Sequence, residues 1–422
     1  MESFKEIQND KRLKKIMNIL FLTMWSEFDN IEACGIYTDL MRKFRNKGHE
    51  VYIIYPNERR NGRPTEVKTE GRVHCLGVRT LNVTKTNVVE KGVGQLMLES
   101  QFKRALKKFF GNVKFDIILY STPPITFNKV IKYAKKASGG KAMTYLLLKD
   151  IFPQNAVDMG MLSKTGVKGV LYNMFRRKEK ELYRISDYIG CMSPANVRYV
   201  LKHNPNVSAD NVEIAPNSVE LSLDEPKRAE ECSAILTKYG LPSDKPIFIY
   251  GGNLGIPQGI PFLIDCLEAN ADRKDCHFVV VGSGTYYQRL ADWYNERKPK
   301  AVTVMKGLPK ADYNKLVRAC QVGLIFLDYR FTIPNYPSRL LSYLEYKMPV
   351  IACTDPNCDT GAIAEENGFG MYAPSNDVKA FTTAVDRMLT ADIKAMGNKG
   401  YDFMKANYLV EHTYNAVMKH LL

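Results

Sequence analysis

Four places in the sequence carry residues with chemistry to offer. The segment YGGNLGIPQG, residues 250–259, lies between an apolar run and a second periodic segment. Gly251, Gly252 and Gly255 let a backbone approach a ligand closely. A helix starting after Gln258 and Gly259 aims its N-terminus at an anion. VVVGSGTYYQRL, residues 279–290, repeats the arrangement with Gly282, Ser283 and Gly284. Neither segment is a G-x-G-x-x-G, and neither has a Walker lysine. A phosphate cradle and a structural strand-to-helix turn therefore both stand as readings of each, and two such loops in one half of the chain favour a nucleotide. FTIPNYPSRLLSYLEYKMPVIACTD, residues 331–355, reads as loop, helix and strand, with Ser338 and Arg339 where the helix begins and Glu345 inside it. Lys149 and Asp150 close the apolar run LLL in the first half. They read either as a surface pair or as contacts for a hydroxyl or phosphate. His49, His74, His203 and His277 are isolated, and no Ser–His–Asp or Cys–His arrangement is visible.

The elements that must position these residues alternate between strand and helix, the pattern of parallel α/β architecture. MNILFLTMW, VYIIYP, DIILYS, KAMTYLLL and YIGCMS read as strands of a first series. The helix from Ile36 is apolar at Leu40 and Phe44 and stops at Gly48. PIFIYGGN, HFVVVGSG, AVTVMKG, QVGLIFLD and MPVIACTD form a second series. Each run is short, unbroken and β-branched, as for strands covered on both faces. The expected division is residues 1–220, residues 221–400, and C-terminal helices over 401–422 that pack back on the first domain. Ligands of such sheets bind at the carboxyl ends of the strands, where all four places lie.

At 422 residues, one core is too few and two domains are expected. The chain is 45% hydrophobic and 25% charged, an ordinary globular balance. No run of 18 apolar residues reads as a membrane span. Residues 1–16 read as a polar extension before the first buried strand. Nine cysteines show no C-x-x-C pair, which points to reduced thiols in a cytosolic protein and away from zinc or disulfides. The net charge of +15 sits wholly in residues 1–220, with 37 Lys and Arg against 22 Asp and Glu, whereas the remainder carries 23 of each sign. The first half is therefore expected to meet something anionic: nucleic acid, a membrane surface or a phosphate-bearing substrate.

The order and spacing of these motifs resembles the family 4 glycosyltransferases, which pair two Rossmann-like domains across a cleft in the GT-B fold. The likeness runs from about Met17 through NILFLTMW…CGIYTDLMRKFRNKGHEVYII, ELYRISDYIGCMS, VEIAPNSVEL, YGGNLGIPQGI, VVVGSG, VTVMKGLPKADYNKLVRACQVGLIFL and the 331–355 stretch. KDIFPQ and IPNYPSRLLSYLE look like a bacterial branch acting in surface-polysaccharide or O-antigen assembly. The resemblance implies a nucleotide-sugar donor, UDP-linked, on the C-terminal domain. Its contacts would be Gly252, Asn253, Gly255, Gln258, Gly282, Gly284, Lys306, Leu308, Pro337, Ser338, Arg339, Leu341, Ser342 and Glu345. The acceptor, a polyprenyl-diphosphate-linked saccharide, would meet Gly35, Lys149 and Asp150. Transfer would retain anomeric configuration without a metal or other cofactor, at the cytoplasmic face of the membrane. Lys107, Lys108, Arg176, Arg177 and Lys178 would face anionic lipid, each such cation contributing about 1 kcal/mol at the surface.

The chain departs from the family pattern at two places. Asn253 and Gln258 stand where many members carry an arginine and a lysine that clamp the donor diphosphate. Pro334 and Ser342 stand where many carry two glutamates. Arg339 is the natural replacement cation, at a helix start that Ser338 can cap. Glu345, one turn past Ser342, either assists with the ribose or is an exposed helix charge. Asp150 reads as acceptor-orienting, because the leaving phosphate can take the acceptor proton itself. A UDP-sugar epimerase of the same fold is the alternative enzyme, but its acid/base histidines and carboxylates are scarce in these loops. A nucleic-acid-binding protein is a third reading, and no nucleic-acid motif supports it.

Overall fold

The computed structural model describes residues 16–26, 28–83, 88–221 and 229–421. Residues 1–15 of the polar extension thus lie outside the described residues. Contacts divide the chain into a first unit, Met1–Glu220 with Val410–Leu422, and a second, Leu221–Leu409.

In the first unit the strands are β1 (Asn18–Leu22), β2 (Glu50–Glu58), β3 (Glu66–Glu70), β4 (Val73–Thr80), β5 (Ile117–Ser121), β6 (Met143–Leu148), β7 (Tyr188–Cys191) and β8 (Val212–Ile214). The helices are α1 (Ile36–Asn46), α2 (Val88–Phe110), α3 (Asn128–Ala137), α4 (Gln154–Asp158), α5 (Gly166–Ile185) and α6 (Pro194–His203). The sheet order is β3-β4-β2-β1-β5-β6-β7-β8, with only β3 antiparallel. β3 is polar and largely exposed, an edge strand without the apolar run that marks the others. The chain reverses direction across the sheet between β1 and β5, so the ligand crevice belongs at their carboxyl ends. Buried Ile19, Phe21, Phe44, Ile53, Leu119 and Leu147 fill the core on one face.

The closing helix Val410–Met418 completes that core. Val410, Tyr414, Val417 and Met418 are buried in it, and Tyr414 packs on Phe44 at 5.1 Å between ring centroids. Thr413 donates its hydroxyl hydrogen to the Pro216 carbonyl at 3.0 Å.

The second unit contains β9 (Ile247–Asn253), β10 (His277–Ser283), β11 (Val302–Lys306), β12 (Val322–Phe326), β13 (Val350–Thr354) and β14 (Gly370–Pro374). Its helices are α7 (Ala229–Lys238), α8 (Ile260–Ala269), α9 (Tyr287–Arg297), α10 (Lys310–Ala319), α11 (Arg339–Glu345), α12 (Thr360–Glu366), α13 (Val378–Thr390) and α14 (Ile393–Asn407). The order β11-β10-β9-β12-β13-β14 is parallel throughout and switches direction between β9 and β12. Residues 401–409, grouped above with the terminal helices, pack in this second unit. A side chain at Gly397 would stand 2.0 Å from the Lys347 carbonyl, and one at Gly400 would stand 2.8 Å from Leu344. These two glycines let α14 lie directly against the end of α11, which holds it in this unit. Among the described residues the nine cysteines form no disulfide, and seven are buried as small core side chains.

Candidate active site

At the switch point of the second unit the loops after β9 and β12 meet. The Asp328 amide donates to the Pro257 carbonyl at 3.0 Å. Gly252, at the end of β9, has φ +126°, which only glycine adopts readily. A Cβ there would be 3.3 Å from Nη2 of Arg339.

Arg339 is the first residue of α11 and lies over the ring of Tyr250, 4.3 Å from its centroid. Burial works to lower its pKa, but the phenols of Tyr250, Tyr343 and Tyr313 outweigh that and the net shift is upward, so the group stays charged. Burial in turn pushes the three phenols up and keeps them neutral, against the opposing pull of Arg339. Among the described residues Arg339 makes no ion pair, and its buried Nη1 has no hydrogen-bond partner. A buried, unpaired guanidinium nitrogen at a switch point is a built place for an anion.

The glycine-rich loops around it serve the backbone. A Cβ at Gly282 would be 2.0 Å from the Gly252 carbonyl oxygen, and one at Gly284 would be 2.4 Å from that of Leu254. The Leu254 amide donates to the Ser283 carbonyl, and the Tyr286 amide to the Leu254 carbonyl, each at 2.9 Å. Gly282 and Gly284 therefore let one loop lie on the other. Asn253 and Gln258 bond each other: Asn253 Nδ2 donates to Gln258 Oε1 at 2.9 Å, and the Gly255 amide donates to the same oxygen at 3.2 Å. Lys306 ends β11, exposed and in register with Gly282, and Leu308 is half-buried beyond it. Pro337 and Glu345 are half-buried, Ser338 and Ser342 exposed, and Leu341 is buried in the core. Ser338 does not cap α11. Its backbone is already helical, at φ −63° and ψ −20°, and its side chain makes no capping bond. The extended backbone that a capping side chain needs is absent.

In the first unit Lys149 and Asp150 stand at the carboxyl end of β6. The Thr122 oxygen, just past β5, accepts from the amides of Lys149 at 3.0 Å and Asp150 at 3.2 Å. Lys149 Nζ donates to the Ala215 carbonyl at 3.0 Å, and burial brings its pKa down to about 7. Asp150 Oδ2 accepts from Asn155 Nδ2 at 2.7 Å, and burial pushes its carboxyl up to about 6. Neither makes an ion pair among the described residues, so both titrate near neutrality. Gly35 precedes α1, and its amide already donates to buried Asp39 at 2.9 Å. Asp39 is in turn bound by Arg42 at 2.6 Å, so this turn is braced from within.

Of the basic residues assigned to the surface, Lys107, Lys108 and Arg177 are exposed. Arg176 is turned inward. It bonds buried Glu179 at 2.6 Å and the His203 carbonyl at 2.8 Å, since Glu179 requires a cation there. Lys178 is half-buried, 3.9 Å from Glu99. The histidines avoid the carboxyl ends of the strands. His49 and His277 lie at strand starts, His74 is the second residue of β4, His203 ends α6, and His412 and His420 belong to the closing helix and its end.

Residues 233–402 match the family model described as Glycosyl transferases group 1. This is a group 1 glycosyl transferase domain, and the chain is a transferase enzyme. Curated relatives agree. The transferase is 22% identical over 77% of its length to the probable glycosyltransferase WbjE of Pseudomonas aeruginosa, covering 78% of that protein. It is 24% identical over 65% of its length to the putative colanic acid biosynthesis glycosyl transferase WcaI of Escherichia coli, covering 67% of it. Its fold is GT-B. Sucrose-phosphate synthase from Thermosynechococcus elongatus superposes with TM-score 0.72 at 14% identity, over 96% of this chain and 98% of that one. Anabaena HepE, solved in complex with UDP, superposes with TM-score 0.64 at 14% identity, over 96% and 99%.

Some of the transferase's site residues carried no sequence signal of their role. Tyr250, Tyr313 and Tyr343 come from β9, α10 and α11, and look like core aromatics until they are seen around Arg339. Thr122 is one hydroxyl in a turn. Asp355, at the end of β13, is fully buried, and burial pushes its carboxyl up to about 7. Its Oδ1 accepts from the amides of Asn357 and Cys358, and its buried Oδ2 has no partner. An aspartate directly before Pro-Asn at a strand end was its available signal, that of an Asx turn.

Proposed function

We propose that the protein transfers a sugar from a UDP-linked donor to a lipid-linked, polyprenyl-diphosphate saccharide, with retention of configuration, in surface-polysaccharide assembly such as capsule or O-antigen. The observation that carries the reading is Arg339: a charged, half-buried group with no acidic partner among the described residues, a buried Nη1 without a hydrogen-bond partner, and Gly252 beside it. The donor diphosphate sits there, so positive charge is in place where the leaving phosphate develops negative charge. HepE, of the same fold, has been solved with UDP and with UDP-glucose, which supports a UDP donor.

In the proposed step the anomeric carbon–oxygen bond to the diphosphate breaks. The acceptor hydroxyl oxygen bonds the same carbon and its proton passes to the leaving phosphate. Arg339 supplies the charge that a metal supplies elsewhere, so turnover persists in a chelator. Asp150, as carboxylate, orients the acceptor hydroxyl, and Lys149 meets acceptor phosphate. The placement of the histidines at strand starts, helix ends and the closing helix favours this over the epimerase, which needs acid/base groups around the sugar. Among the described residues no helix is long and apolar enough to cross a membrane. The enzyme works in our reading as a peripheral protein on the inner face of the cell membrane.

The test is calorimetry with UDP, ADP and GDP, followed by product analysis with UDP-sugars and a polyprenyl-diphosphate-linked acceptor. Binding of UDP and acceptor-dependent release of it are the expected results. Isomerised donor without acceptor would overturn transfer, and equal affinity for all three nucleotides would overturn the UDP assignment.

A further inference from the structure

The first half of α5 is bare on one side among the described residues. Val167, Val170, Leu171 and Met174 recur at the spacing of a single helical face, and they are 89%, 73%, 41% and 38% exposed. Met161, in the preceding loop, is 56% exposed. Further along, the same face turns inward, where Lys178 approaches Glu99 and Glu181 pairs with Lys132 of α3. The apolar stripe therefore ends where the helix meets its neighbours, and the bare half has no core to join.

Two features say what covers it. The stripe is bordered by Lys164, Lys168 and Arg177, all exposed. On the flank of the same helix lies a groove of about 400 Å³ whose lining includes Glu181, its carboxylate already paired with Lys132, together with Pro205, Asn206, Arg177, Lys180 and Arg184. These three cations make no ion pair among the described residues. A second copy of the chain on this face would bring like charges together. An anionic phospholipid surface is complementary in both respects, with acyl chains for the stripe and a headgroup phosphate for the groove.

We propose that α5 is the membrane-docking element, with Val167, Val170, Leu171 and Met174 entering the acyl boundary and Arg177, Lys180 and Arg184 holding an anionic headgroup. The inference rests on the reading of a lipid-linked acceptor. It keeps Arg177 of the basic run Arg176–Lys178 in the surface contact and adds the apolar half of the helix before it.

The test is co-sedimentation of the full chain with vesicles of phosphatidylcholine alone and with added phosphatidylglycerol, alongside UDP calorimetry on the same samples. Binding should require phosphatidylglycerol. Val170→Asp combined with Met174→Asp, at exposed positions, should lower vesicle partition by about a hundredfold or more with melting temperature and UDP affinity unchanged. Changing Arg177, Lys180 and Arg184 to glutamine should remove the preference for phosphatidylglycerol. Undiminished partition of the aspartate variant would overturn the proposal, as would a dimer in light scattering that this variant dissociates without altering vesicle binding. If the parent protein binds UDP and ignores vesicles, this inference falls and the donor reading stands. If it binds vesicles and no nucleotide, the docking surface stands and the donor reading falls.

Discussion

Replacing Arg339 by methionine, of similar length and uncharged, separates a ligand-binding residue from a structural strut. In the free protein the guanidinium lies 4.3 Å from the Tyr250 ring centroid with its buried Nη1 unbonded. A desolvated charge without a counter-charge costs folding free energy, and an apolar residue of similar volume removes that cost. The cation–π contact gives back about 1 kcal/mol. The two nearly cancel, so Arg339→Met should leave the unfolding free energy within about 1 kcal/mol of the parent. Ligand binding behaves differently. A diphosphate accepts at least two charge-assisted hydrogen bonds from a guanidinium, each worth about 1.5–3 kcal/mol. Losing about 3–4 kcal/mol weakens UDP binding by roughly two to three orders of magnitude. Calorimetry reads the affinity, and melting curves with and without UDP read the linkage: the parent's melting temperature rises with ligand and the variant's does not. The reasoning fails if the variant binds UDP within about threefold of the parent. It fails also if unfolding free energy drops by more than about 2 kcal/mol with affinity intact, the mark of a structural residue.

Three further outcomes follow from the geometry. Gly282→Ala places a Cβ 2.0 Å from the Gly252 carbonyl oxygen and should cost about 2–4 kcal/mol in urea unfolding, whereas Gly307→Ala, with nothing within 4 Å, should stay near zero; equal effects would remove the loop-packing account. Asp355 holds its proton more tightly when folded, at about 7 against an ordinary 3.8. Its contribution to stability should therefore be complete below pH 4 and fall by up to about 4 kcal/mol as pH rises to 7, so the difference in stability between the parent and Asp355→Asn should fall over that range; a difference independent of pH would overturn this assignment. Asp150 must be ionised to orient a hydroxyl, so kcat/KM should rise with pH through about 6; this limb should flatten in Asp150→Asn, and a limb that survives belongs to another group.

Ten of the fourteen described strands were legible, because each of those is an apolar run ending in a glycine or polar residue, the pattern of parallel strands covered on both faces, whereas β3, β4, β8 and β14 were not read as strands. The exceptions are instructive. β3 is a sheet edge with Val67 as its one apolar residue, so periodicity passes over it. The second unit ends at Leu409 instead of 400, because α14 is held by two glycine contacts to α11 that have no local signature. At the site, Arg339 stood out as a cation at a strand-to-helix loop, but its three tyrosines did not, since they arrive from positions 250, 313 and 343. Asn253 and Gln258 were read as facing a ligand. They also bond each other, because an amide pair five residues apart in a tight turn brings the two side chains within reach.

The departures from the family pattern and the tyrosine cage are two sides of one arrangement. An arginine and a lysine exposed to water in the loop after β9 would offer two cations whose attraction is weakened by solvent. Here those two positions are occupied by an amide pair that stiffens the loop, and positive charge is concentrated in one guanidinium among neutral phenols. A lower effective dielectric strengthens its attraction for a phosphate oxygen several-fold over a solvated pair. The same burial makes the empty site costly, and the missing carboxylates are part of the design: a glutamate at position 334 or 342, close in sequence to Arg339, would offer that cation a competing internal partner. Restoring one, by Ser342→Glu, should therefore weaken UDP binding in this chain if its carboxylate reaches the guanidinium, although glutamate is the residue many family members carry there. An increase in UDP affinity in that variant would show that the ribose contact outweighs the competition and that Arg339 is not the sole determinant of donor binding.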